Sequence, residues 1–122
     1  ALKHMLHCHS GSIINISSIW GQRGASCEAV YSASKGGVDA FTKAMAKELG
    51  PSGIRVNTIS CGVIDTEMNA CFNQQEKEML IDEISLMRIG TTEEVAKLAL
   101  FLGEDTASFI TGQIFIIDGG MT

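Results

Sequence analysis

The sequence predicts an α/β protein, three parallel β-strands flanked by helices. Short β-branched apolar runs fall at about 12–18, 54–60 and 113–117, with helix-length segments between them. The first run does not alternate cleanly, since Ile13 and Ile14 are adjacent, as suits a strand covered on both faces. Strands joined through helices need right-handed crossovers, which makes their pairing parallel.

The opening "ALKHMLHCHSG" reads as the last turns of a helix. Lys3 and titratable histidines lie near the negative end of the helix dipole, and a Ser-Gly pair stops it. The body of that helix would precede Ala1, so residues 1–122 are expected to form a single partial domain whose N-terminal half is missing. A loop of small residues, "IWGQRGASCE", follows the first strand. A long helix is expected at about 29–49, closed by "GPSG". The second strand runs into "CGVIDTEMN", and residues 74–87 read as a short helical segment. "TTEEVAKLALFLG" is a clear amphipathic helix: Thr91 and Glu94 form a capping box, and Val95, Leu98, Ala99 and Leu102 make one apolar face. Met45, Met79 and Met87 are expected to fill the core.

Nine basic against 14 acidic residues give a net charge of −5, without long runs of either sign. Nucleic acid and anionic membrane surfaces both need clustered Lys and Arg, so neither is an expected partner. No apolar run approaches the ~20 residues of a membrane-spanning helix. The four cysteines, Cys8, Cys27, Cys61 and Cys71, contain no C-x-x-C pair and read as free thiols of a cytoplasmic protein. His4, His7 and Cys8 share a helical face and offer ligand atoms. A solvated helix end accounts for them better, and no metal site is expected.

The strongest chemical signal is "YSASK". Tyr31 and Lys35 stand four apart on the expected long helix, so both side chains leave the same face. A phenol, with a reference pKa near ~10, is a poor proton donor or acceptor at neutral pH. A nearby ammonium favours the phenolate and improves the match. Ser18 lies at the C-terminal end of a strand, where open α/β sheets place ligands, and its hydroxyl can polarise a carbonyl while Tyr31 transfers the proton. Ser17 competes for that role, the alternative for it being a strand-end hydroxyl capping the backbone.

Taken together, "GSIINISSIWG", "YSASKGGVDAFTKAMAKEL", "IRVN", "CGVIDTEM", "RIGTTEEVAKLALFL", "SFITGQIF" and "DGG" resemble the short-chain dehydrogenase/reductase family, and within it the 3-oxoacyl-(acyl carrier protein) reductase type. The resemblance implies the C-terminal half of a Rossmann-type sheet and an NAD(P)-dependent oxidoreductase that reduces a ketone to a secondary alcohol. It implies Tyr31 as acid/base, Lys35 as the residue that assists it and holds the nicotinamide ribose, and Ser18 as the carbonyl donor. Gly62, Val63, Ile64 and Thr66 match the family's nicotinamide loop, with the Ile64 backbone and the Thr66 hydroxyl meeting the cofactor. Thr66 also reads as an N-cap for "EMNA". NADP or NAD is implied, NADPH being favoured by the resemblance alone. A ketone carried on an acyl thioester or a protein is the implied substrate, and the implied assembly is a homodimer or homotetramer. Cys61 replaces the family's usual proline, which is expected to loosen that loop. A reactive thiol there is the alternative to a small buried residue.

The glycine-rich turn that would receive a dinucleotide pyrophosphate is not found: "GQRG" follows the wrong strand and "SKGG" lies within a helix. The residue that separates NAD from NADP is likewise outside the sequence, and Asn15 and Asn57 lie on strands, away from the helix that carries the family's water-binding Asn. The piece alone is therefore expected to be inactive, with the strand at 12–18 exposing an open edge. Parts of the sequence also resemble enzymes assigned as elongation factor P 5-aminopentanone reductases. A non-catalytic reading is a dimerising subunit that uses Val38, Phe41 and Met45. An extended-type epimerase shares Y-x-x-x-K but usually adds a large C-terminal domain.

Overall fold

A computed structural model describes residues 1–69 and 72–122, so Cys71 lies outside the described residues. Three parallel strands, β1 (Gly11–Ser18), β2 (Ile54–Cys61) and β3 (Ile114–Ile117), pair in the order β1-β2-β3. Ser18 stands opposite Cys61, and Cys61 opposite Ile117, so all three strands end at one level. The helices are α1 (Leu2–Cys8), α2 (Trp20–Arg23), α3 (Ala29–Leu49), α4 (Gln74–Asp82) and α5 (Thr92–Gly103). The α/β architecture read from the sequence is the one observed.

One face of the sheet is covered by α3. Its stripe Asp39, Thr42, Ala46 and Leu49 is buried. Ala46 and Leu49 pack with Ile54 and Val56, and Met5, Ile13 and Met45 close over them. Nearer the strand ends this layer turns polar: Asn15 Nδ2 and Thr58 Oγ1 both donate to Thr42 Oγ1, at 2.8 and 2.7 Å. On the other face lies α5, with Leu102 fully buried and Val95, Leu98 and Ala99 half-buried. Ser12 and Arg55 donate to the Leu102 carbonyl, and Arg55 also to that of Glu104, which satisfies the C-terminal end of α5. The side chain of Asn57 donates to the Ile110 carbonyl and accepts from Gln113 N–H, fixing the turn into β3.

The structure corrects three local expectations. Met79 and Met87 are 67% and 61% exposed and fill no core, while Met45 does. α4 buries none of its residues, so Met79 has no layer to enter; Met87 sits in a left-handed turn at φ 53°. The helical segment expected to reach 87 stops at Asp82, because Leu86 N–H is drawn to the Gly119 carbonyl and Met87 N–H to that of Ile84. The loop after β1 contains the short helix α2.

Odd-numbered residues of β1 point their backbone groups at β2, the last such bond running from Ile19 N–H to the Cys61 carbonyl. Ser12, Ile14, Ile16 and Ser18 therefore turn theirs to an open edge. Among the described residues, no helix is long and apolar enough to cross a membrane.

Candidate active site

Strand ends and the first turns of α3 meet around one cleft of about 320 Å³. Ser17 and Ser18 enter it from β1, Cys61 and Gly62 from the end of β2, Tyr31 and Lys35 from α3, and Ile64 and Thr66 from the segment that follows β2. The spacing of Tyr31 and Lys35 acts as expected: the Lys35 ammonium lies 5.7 Å from the centre of the Tyr31 ring. It donates to the Ile16 carbonyl at 3.2 Å, one of the groups on the open edge of β1.

The two serines separate by what their hydroxyls do. Ser17 Oγ donates to the Lys35 carbonyl at 3.1 Å and so ties α3 to β1. Ser18 Oγ accepts from Trp20 N–H at 3.3 Å, and its own proton is not used in that bond. Gly21 explains part of the glycine content nearby. A Cβ there would come within 2.7 Å of the Lys35 backbone, so α2 packs directly against the start of α3. "GQRG" and "SKGG" thus serve helix contact.

Beyond β2, Ile64 bridges to Gly90, with Gly90 N–H donating to the Val63 carbonyl and Asp65 N–H to the Gly90 carbonyl. The Thr66 hydroxyl donates to the Ile64 carbonyl at 3.4 Å, and its carbonyl receives Asn69 N–H. Asn69 Nδ2 donates to the same Ile64 carbonyl at 2.6 Å. Gly62 is demanded by Asp118, whose Cβ would lie 2.6 Å from any Cβ at that position. Val63 faces elsewhere, into a smaller cavity of about 90 Å³ that it shares with Arg88, Glu94 and Asp118. The cleft also takes Ile16, Asn69, Thr92 and Val95, which motif spacing did not single out. The capping box gave a signal for the start of α5; nothing marked Asn69.

Burial pushes the Cys61 thiol above its usual range, against the opposing pull of the Lys35 charge. That disfavours the thiolate, the form a reactive cysteine needs. Cys61 is the last residue of β2, paired on both sides, so the strand itself steadies the chain where a proline was expected to be missed. Partial burial raises the Asp118 carboxyl, but hydrogen bonds from Thr122, Gly120 and Met121 outweigh it and leave it below its usual range. At the N-terminus, Cys8 Sγ lies 3.6 Å from His4 Nε2 on an exposed surface. Among the described residues no three His, Cys, Asp or Glu side chains gather as a metal site would need.

A family model described as enoyl-(acyl carrier protein) reductase matches residues 1–122. The chain is 48% identical over 98% of its length to an uncharacterized oxidoreductase, YmfI, of Bacillus subtilis, covering 49% of that protein. It is 47% identical to the 3-oxoacyl-[acyl-carrier-protein] reductase FabG of Chlamydia trachomatis, over 98% of this chain and 48% of the relative. The crystal structure of a 3-oxoacyl-[acyl-carrier protein] reductase from Brucella melitensis superposes with a TM-score of 0.91 at 35% identity, covering 98% of this chain and 45% of that one. The chain thus spans about half the length of the relatives it matches. Matched end to end, and sharing both sequence and fold with these reductases, the chain belongs to the enoyl-(acyl carrier protein) reductase family of short-chain dehydrogenase/reductases.

Proposed function

We propose that this chain is one partial domain that supplies the proton-transfer half of an NAD(P)-dependent ketone reductase, acting on 3-oxoacyl thioesters or a related ketone. The observation that carries the reading is the convergence of Ser18, Tyr31 and Lys35 on a single cleft at the strand ends. Each has a task there. Ser18 keeps a proton to give to a carbonyl oxygen, Tyr31 brings a second donor, and Lys35 sets a positive charge beside the phenol. Two donors aimed at one oxygen stabilise the alkoxide as it develops, and Tyr31 then protonates it.

The residues fit a nicotinamide cofactor: an ammonium, the Thr66 hydroxyl and the Ile64 backbone surround a cleft with apolar walls from Ile16 and Val95. Bound there, the cofactor would supply the hydride. Lys35 would hold its ribose, and Gly62 to Thr66 its carboxamide side. NADPH is preferred to NADH on family resemblance. The names of the reductases among its relatives support an acyl-carrier substrate; a cytoplasmic homodimer or homotetramer is proposed on family resemblance alone.

In the full-length enzyme, Tyr31→Phe is expected to lower turnover by about 10²–10⁴-fold, the usual contribution of a positioned acid/base. Cofactor binding, read by fluorescence titration, should stay within a few-fold of the parent. Turnover retained in Tyr31→Phe would overturn the assignment.

A further inference from the structure

One turn beyond Lys35, on the same sheet-facing stripe of α3, lies Asp39. It is 5% exposed, and neither carboxylate oxygen has a hydrogen-bond partner among the described residues. A buried, unpartnered carboxylate is among the costliest groups a fold can carry, so its place calls for a donor.

Several side-chain donors of the surrounding layer are bonded elsewhere. Asn15 and Thr58 donate to Thr42, Ser17 donates to the Lys35 carbonyl, and Gln22 donates to Ser60. β1 carries no charged side chain. The one charge on β2, Arg55, is turned to the opposite face and bonded to the Leu102 and Glu104 carbonyls. On α2, Arg23 donates to the Met121 carbonyl. On α3 itself, Glu28 at the N-cap and Lys43, Lys47 and Glu48 further along are exposed. Half-buried Lys35 is the cation that shares the layer. Its ammonium now rests on the Ile16 carbonyl, an acceptor of the kind that strand pairing uses. β-carbons four apart on a helix are about 5–6 Å from one another, within reach of a lysine that changes rotamer.

We propose that Asp39 is a positioning residue, whose carboxylate is the second acceptor of the Lys35 ammonium and fixes that lysine to α3 when another donor takes the Ile16 carbonyl. For its catalytic meaning the inference rests on the reductase reading. The pairing itself does not.

Acylation of individual lysines by an amine-reactive ester, followed by mass spectrometry, tests the pair in the full-length protein, where another donor can take the Ile16 carbonyl, without any need for turnover. A carboxylate beside an ammonium disfavours the free amine that acylates, so Asp39→Asn should speed reaction at Lys35 by roughly threefold or more. Lys43 and Lys47, on the same helix, serve as controls that should not change. Asp39→Glu keeps the charge and should stay near the parent. Equal rates at Lys35 in the parent and Asp39→Asn would overturn the proposal, as would Asp39→Glu behaving like Asp39→Asn. Should Asp39→Asn fail to melt cooperatively, Lys35→Met reads the pair from the other side. It should lower Tm, and adding Asp39→Leu should restore it; no rescue overturns the pairing. In the full-length enzyme, Asp39→Asn should lower kcat while leaving KM unchanged. A full-length protein inactive on every ketone would defeat the reductase reading and leave the lysine kinetics untouched.

Discussion

Ser17 and Ser18 are neighbours in sequence, yet one hydroxyl proton is spent on holding a helix and the other is left for a ligand. That difference follows from strand alternation: Ser17 faces α3, and Ser18 faces away from it. Tyr31 and Lys35 were legible because the spacing that brings them together is local to one helix. Asn69 was not, since it reaches the cleft from a segment without hydrophobic periodicity and through a single bond to a backbone carbonyl. Asp39 was also hidden, because an aspartate on a helix reads as solvated until the sheet beneath it is seen. Cys61 yields a prediction at this scale. Half-buried and with its thiol pushed up, it should alkylate about tenfold more slowly than the exposed Cys8 and Cys27 at neutral pH. Site-resolved iodoacetamide labelling checks this, and a Cys61 rate matching that of Cys8 would restore the reactive reading.

Among the elements, α5 was read most fully from the sequence and α4 least. The Thr91–Glu94 box specifies the start of α5, and its apolar stripe has a sheet to cover. α4 has an equally good box, Asn73 with Glu76, but no face to bury, so pattern alone gave a helix and misplaced its end. Glu94 has a second role, accepting both guanidinium nitrogens of Arg88 at 2.5 and 3.0 Å. That pair, with the Thr91 N–H, holds the Glu94 carboxyl down to about 2. A carboxyl depressed in the folded state stabilises fully above its unfolded value near 4.5, and that stabilisation is lost as pH falls towards about 2. Thermal melts from pH 5 downward should therefore show Tm falling more steeply for the parent than for Glu94→Gln. Both groups are solvent-exposed, so the difference should shrink in high salt. Parallel curves at all pH values would dismiss this contribution.

At the level of the molecule, three aligned strands fix where ligands bind, and an open strand edge fixes how the chain behaves in isolation. β1 offers unpaired N–H and C=O groups along its outer side, with Ile16 half-exposed beside them. Edges of this kind recruit other strands, and a charge on the edge discourages it. The 122-residue chain should self-associate with rising concentration in sedimentation velocity runs, and Ile16→Lys should shift it towards the monomer. A monomer at all concentrations would show that Lys35, resting on the Ile16 carbonyl, already guards the edge. The fold class was readable because strand and helix alternate in sequence order. The bridge between Ile64 and Gly90 has a further consequence, best put in terms of chain entropy. It closes the feet of the segment between them, and doubling the length of a flexible closed loop costs only about 0.6 kcal/mol. The segment between them can thus change length and composition at little cost while the bridge at its feet is kept.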